Sequence, residues 1–241
     1  IHLSAECYPV AKVGGLGDVV GALPKYQCKA GHYAKVVMPL YITPFLKNNE
    51  WTEDFTGRTN IGDRWFDYKI YKEKDNILGF DLYLVDVHGL LDREKVYGYD
   101  DDTERFTAFQ VAFLHWMNHW QHQPDIIHCH DWQAGLVPVY LENIYKKNVF
   151  YQNMKTVFTI HNLQFQGRWN LKAVKDITGL PDALFTPDKL ESYGEGNYLK
   201  GGIVYADAIT TVSPTYAYEI TTPDGGEGLD GLIRSNSYKL S

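Results

Sequence analysis

At 241 residues the chain is long for one core, although α/β units of this size occur as single domains. A net charge of −7 argues against a nucleic-acid or anionic-membrane binder, and no apolar run approaches the roughly 20 residues that span a bilayer. Composition is that of an ordinary globular protein, 44% hydrophobic and 22% charged, and the three scattered cysteines (Cys7, Cys28, Cys129) offer neither a disulfide framework nor a zinc knuckle and suit a reducing compartment.

The chain lacks an initial Met, opens inside a strand and reads as trimmed, so its start says nothing about a removed leader. "IHLSAE" is the expected first strand. "GDVVGALPKYQCKAG" reads as a helix that ends near Gly31, with a kink or restart at Pro24. "AKVVMP" is a second strand, and Trp51–Lys72 and Phe80–Val87 show period-2 stretches, for example "RWFDYKIYK" and "FDLYLVDV", that look like a strand pair added to a parallel core. "DDTERFTAFQVAFLHWMNHW" is a helix with Phe106, Phe109, Phe113, Trp116, Met117 and Trp120 on one stripe. His115, His119 and His122 fall opposite that stripe and read as a solvated face. "DIIHCH" is a strand, "QAGLVPVYLENIYKK" a helix, and "KTVFTIH" and "AITTVS" two further strands, with short helical pieces and polar turns between them. The last 21 residues read as loop, short helix and frayed end. No internal repeat or low-complexity segment is present. Strands alternating with helices predict a doubly wound, mostly parallel sheet, whose ligands sit at the carboxyl ends of the strands. Three polar clusters fall at such ends: "AECYPVAKVGGLGD", "HCHDWQAG" and "IHNLQFQG".

The first cluster holds four glycines in eight residues, Gly14, Gly15, Gly17 and Gly21, behind Lys12. It is not a dinucleotide fingerprint. Gly15, Gly17 and Gly21 give G-x-G-x-x-x-G, one residue too long, and the second strand ends in "VVMP" with no acid for a ribose. Nor is it a P-loop, because its lysine precedes the glycines. Backbone N–H groups at a helix start, with a nearby ammonium, suit a diphosphate; a tight strand-to-helix connection is the plainer alternative.

In the second cluster His128 and His130 share a strand face, followed by Asp131 and Trp132. A metal there would need further ligands, and none is visible in the sequence. His128 also reads as a satisfied core histidine, and Trp132 as either a sugar platform or a cap on the core. In the third cluster, His161 and Asn162 follow a buried-type strand, and His161 is the histidine best placed for a ligand. No G-x-S-x-G elbow supports a hydrolase triad. Asp18 and Asp131 are candidates for a glycosidase pair, but the glycine loop and Lys12 fit an enzyme with a phosphate leaving group better. The 18 Tyr, 11 Phe and 6 Trp point to a ring-rich core or to a carbohydrate-facing surface.

Taken together, "SAECYPVAKVGGLGDVVGALP", "HCHDWQAGLVPVYL", "FTIHNLQFQG" and "YADAITTVSPTYAYEI" resemble, in order and nearly end to end, the amino-terminal domain of bacterial glycogen synthases and plant starch synthases. The resemblance implies a Rossmann-like domain, residues 1–241, forming the acceptor-side half of a GT-B glycosyltransferase. Such enzymes transfer glucose from ADP-glucose to the non-reducing 4-hydroxyl of an α-1,4-glucan with retention and without a metal or other cofactor. It implies that Lys12, Gly14 and Gly15 approach the donor diphosphate, that Asp18 and Asp131 face glucose or glucan, and that His161, with Asn162 beside it, contacts the transferred glucose. Lys12, Asp131 and His161 become the catalytic candidates. In "REKVYGYDDD", Tyr97 matches an acceptor-side tyrosine, with Tyr99 competing. The resemblance further implies that the nucleotide pocket lies in a carboxyl-terminal domain outside this chain, that the isolated chain is inactive, and that the setting is cytoplasmic if bacterial or plastid if plant. A non-catalytic glucan-binding module and a GT-B transferase with another sugar-nucleotide donor remain as alternatives.

Overall fold

A computed structural model describes residues 1–241, which divide into two compact units, Ile1–His122 and Gln123–Ser241. In the first unit, β1 (His2–Leu3) leads through a loop into α1 (Gly15–Lys29), followed by β2 (Lys35–Pro39), α2 (Pro44–Asn48), β3 (Trp51–Ile61), β4 (Arg64–Glu73), β5 (Asp81–Asp86) and α3 (Asp102–Met117). The strands run in the order β1-β2-β5-β4-β3. β1 is parallel to β2 and β2 to β5, whereas β4 is antiparallel to both β5 and β3.

Several expectations change here for identifiable reasons. The first strand is two residues long rather than six. Ser4 still donates its N–H to Val37, but its hydroxyl then accepts from the Glu6 amide and donates to the Glu6 carbonyl, which turns the chain out of the ladder. α1 runs unbroken through Pro24. Proline removes the donor that would serve the Val20 carbonyl, and the Cys7 thiol lies 3.6 Å from that oxygen in its place. The helix stops where Gly31 turns left-handed at φ 95°. β5 belongs to the parallel core, since its central Leu82, Tyr83, Leu84 and Val85 are all buried. The added pair is therefore the β3–β4 hairpin, closed by a two-residue turn in which Gly62 supplies a positive φ. That hairpin lies against α3, and His115 is half-buried there, its Nδ1 2.5 Å from the Tyr68 hydroxyl; His119 is exposed, as expected, with its ring 4.7 Å from Phe55. His122 is exposed, as expected.

The second unit comprises β6 (Ile126–His130), α4 (Leu136–Asn143), β7 (Lys155–Ile160), β8 (Arg168–Asn170), α5 (Leu171–Thr178), β9 (Glu191–Ser192), β10 (Glu195–Asn197), α6 (Tyr198–Tyr205), β11 (Ala208–Thr211), α7 (Pro214–Glu219) and α8 (Asp230–Ser235). β11-β7-β6 is an all-parallel run. A small antiparallel sheet, β8-β10-β9, stands where the sequence offered only short helical pieces and polar turns. Side-chain caps fix the helix starts: Asn170 accepts from Ala173, Asn197 from Lys200, and Ser213, with Pro214 at the first helical position, from Tyr216. The chain end is not frayed. Leu240 bridges to Ile209, the Ser241 amide donates to the Ile209 carbonyl, and the Lys239 ammonium donates to the carbonyls of Val204 and Ala206.

Candidate active site

In the first unit the site candidates surround the loop between β1 and α1. Of its four glycines, Gly21 is demanded by packing and Gly17 sits in a tight contact. A Cβ on Gly21 would stand 2.5 Å from the Tyr8 carbonyl oxygen, and one on Gly17 3.0 Å from the Lys12 side chain. At Gly14 and Gly15 a Cβ would meet nothing within 4 Å, so their smallness keeps open space beside the helix start. The loop amides are only partly available. Val13 and Gly14 both donate to Glu6 Oε1, at 2.6 and 2.9 Å, so the Gly14 N–H that the resemblance assigned to a diphosphate already holds a carboxylate. The amides of Gly15 and Leu16 lie in the first turn of α1, where no intrahelical acceptor exists and no side chain caps them.

Lys12 Nζ lies 2.8 Å from Asp18 Oδ2, with both side chains about half exposed. An ion pair this exposed is worth about 0–1 kcal/mol, less than the roughly 1.5–3 kcal/mol of a charge-assisted hydrogen bond, so an incoming anion can draw Lys12 away. Tyr97 donates its hydroxyl to Glu6 Oε2 at 2.5 Å, which joins it to the glycine loop. Tyr99 is engaged differently: its hydroxyl accepts from the Lys95 amide and its ring faces the guanidinium groups of Arg93 and Arg105. A cavity of about 350 Å³ opens between the loop and the Tyr97 segment, with Lys12, Val13, Thr43, Lys95 and Tyr97 on its walls.

In the second unit the ends of the neighbouring strands β6 and β7 bring Asp131 and His161 together. Asp131 sits at φ 58°, ψ −175°, a region nearly reserved for glycine. From there its Oδ1 accepts the His161 backbone N–H at 2.8 Å. His130, fully buried, places Nδ1 2.9 Å from His161 Nε2. Burial holds His161 down to about 4, so it is neutral at pH 7. The His128 and His130 rings stack at 4.2 Å, as their shared strand face requires, and His128 Nε2 is 2.5 Å from the Thr159 hydroxyl. Asn162 is exposed and its side-chain oxygen accepts from the Gln164 amide in a local turn. Trp132 is a core cap, not a platform: it is buried edge-on to Tyr198, and a Cβ on Gly167 would strike its ring at 2.4 Å.

Sequence reading missed Glu6, and it placed His130 beside His128 without seeing its pairing with His161. An acid directly after the first strand and a histidine two residues from another were the only available signals, and neither reveals a partner. The three cysteines are free thiols. Burial pushes Cys7 up to about 12 and Cys129 higher still, which removes both as nucleophiles at neutral pH.

The starch synthase catalytic domain family matches residues 1–235 of this chain. The chain belongs to that family. It is 46% identical to the glycogen synthase of Lachnospira eligens over 99% of its length, and 41% identical to that of Clostridioides difficile, again over 99%. In each case it spans about half the length of the relative. Among solved structures it is similar to the catalytic domain of starch synthase IV from Arabidopsis thaliana bound to ADP and acarbose, with a TM-score of 0.92 and 32% identity, covering 99% of this chain and 50% of that one. The mostly parallel sheet with flanking helices is therefore that of a GT-B fold, and the coverage fits one half of such an enzyme. No helix in this starch synthase family member is long and apolar enough to cross a membrane.

Proposed function

We propose that the chain is the acceptor-side half of a retaining glucosyltransferase that moves glucose from ADP-glucose to the non-reducing 4-hydroxyl of an α-1,4-glucan. The observation that carries this reading is the likeness, across nearly the whole chain, to a starch synthase catalytic domain bound to ADP and acarbose. The other half of the enzyme supplies the nucleotide pocket, and the chain alone does not turn over.

In this reading each unit brings its own chemistry. As the sugar–phosphate bond breaks, negative charge grows on the departing diphosphate, and donors already aimed there lower the barrier. In the first unit those donors are the Lys12 ammonium, released from Asp18, and the first-turn amides of Gly15 and Leu16. Positive charge grows on the anomeric carbon in an oxocarbenium-like state. A neutral His161 suits that neighbourhood, because an imidazolium would repel it. Asp131 holds the His161 backbone, and His130 makes His161 Nε2 half of a hydrogen bond, so the imidazole is oriented before substrate arrives.

Donor trials on the full-length enzyme carrying this chain test the reading. With a maltooligosaccharide acceptor, ADP-glucose is expected to support transfer at a kcat/KM at least tenfold above UDP-glucose. Equal use of both donors would sink the donor assignment; transfer from neither would sink the glucosyltransferase reading.

A further inference from the structure

We propose that Glu6 is a positioning residue that sets both the shape of the glycine loop and the hydrogen-bonding polarity of Tyr97. The activity part of this proposal rests on the function proposed above; the structural part does not.

Glu6 is 3% exposed. A carboxylate so buried is costly unless donors surround it, and here there are three: Val13 N–H and Gly14 N–H on Oε1, and the Tyr97 hydroxyl on Oε2. They come from segments more than 80 residues apart, since Tyr97 follows Glu6 by 91 positions. The glutamate backbone is itself held, by the two Ser4 hydroxyl bonds and, one residue earlier, by the Tyr41 hydroxyl on the Ala5 carbonyl at 2.8 Å. Little remains free to move at the centre of this tie.

Two consequences follow from the donor and acceptor inventory. A carboxylate only accepts, so Tyr97 must donate its one proton to Glu6. The phenolic oxygen then offers only lone pairs to anything else. A glucan hydroxyl meeting Tyr97 is therefore bound as a donor, not as an acceptor. The second consequence concerns the loop. With the Val13 and Gly14 amides bound to Glu6, Gly14 takes an extended conformation and α1 begins at Gly15, leaving the Gly15 and Leu16 amides as the uncapped pair of its first turn. Val13 and Tyr97 both wall the 350 Å³ cavity, so the carboxylate behind them fixes two of its sides.

The test uses Glu6→Gln, Tyr97→Phe and the double variant in the full-length enzyme, with kinetics and with amide NMR of Val13 and Gly14. Glutamine keeps the volume and one acceptor, but its NH2 reverses the polarity toward Tyr97. Each single variant is expected to lower kcat/KM for the glucan at least tenfold, and the double variant to be no worse than about twofold below the weaker single, because both break one unit. The Val13 and Gly14 resonances are expected to shift in Glu6→Gln and also in Tyr97→Phe, since all three donors share one carboxylate. Losses that multiply, or a Glu6→Gln enzyme with wild-type constants for the glucan, overturn the proposal. If the wild type transfers no glucose, the proposed function fails while the resonances still decide the tie. If Glu6→Gln does not fold, unmoved Val13 and Gly14 resonances in Tyr97→Phe overturn it.

Discussion

At the scale of single residues the most informative is Asp131. Its backbone conformation is one that costs a non-glycine residue about 1–3 kcal/mol, and it is held there while its carboxylate takes the His161 amide. Strain and hydrogen bond make opposite demands on a substitution. Asp131→Gly relieves the first and loses the second; Asp131→Ala loses the second and keeps the first. Urea denaturation is expected to find the glycine variant more stable than the alanine variant by about 1 kcal/mol, with both losing at least tenfold in kcat/KM. Equal stabilities would show that the backbone at Asp131 is not strained. The identity of Asp131 as a site candidate was legible from its place at a strand end, but its conformation was not. Nothing local in "HCHDWQAG" announces a positive φ at an aspartate, because the constraint comes from the β7 end that Asp131 must reach.

Among elements, the glycine loop and α1 show how the parts of one motif can differ in what they do. The four glycines suggested one purpose. In the structure they have two: Gly17 and Gly21 let helix and loop touch, while Gly14 and Gly15 keep space open. Gly21→Ala, whose methyl would meet a backbone oxygen at 2.5 Å, is expected to cost about 1–3 kcal/mol. Gly15→Ala is expected to leave the melting temperature within a degree or two and to lower activity instead. Thermal melts beside initial rates check the pair; a stable Gly21→Ala or a fully active Gly15→Ala would break the division. The parallel strands and the long helices were readable because their periodicity is local. The β8-β10-β9 sheet was not, because two- and three-residue strands carry no period, and β5 was misassigned because its partner is chosen by burial rather than by pattern. The half-burial of His115 was missed for a similar reason: helical spacing identifies the core stripe but not which other element covers part of the opposite side.

For the whole molecule, two histidines tie stability to pH. Burial lowers His2 and His161 to about 4, from the ordinary value near 6.5. An unfolded chain takes up protons below pH 6.5 that the folded one refuses until about pH 4. Their contribution is therefore complete above pH 6.5 and is lost as pH falls through that window, at no more than about 1.4 kcal/mol per pH unit for each histidine. Denaturant melts between pH 7 and 5 are expected to show falling stability, and His161→Asn to remove about half of the slope; a flat profile would contradict the burial of both groups. The order of motifs along the chain carried the family assignment, since four separate segments fell in one sequence. What no single segment could supply was the partner of each side chain, Glu6 to Tyr97 or His130 to His161, because those contacts join residues 31 to 91 positions apart.

The central claim is that this chain contributes phosphate-facing and sugar-facing groups to a glucosyltransferase completed by a second domain. ADP release from ADP-glucose, with a maltooligosaccharide acceptor, tests it most directly when measured for the chain alone, for the chain joined to the second half of a glycogen synthase, and for that fusion carrying Lys12→Ala. The expected result is no turnover by the chain alone, turnover by the fusion, and at least a tenfold loss with Lys12→Ala. Turnover by the isolated chain at the rate of the fusion, or a fusion indifferent to the loss of Lys12, would contradict the account.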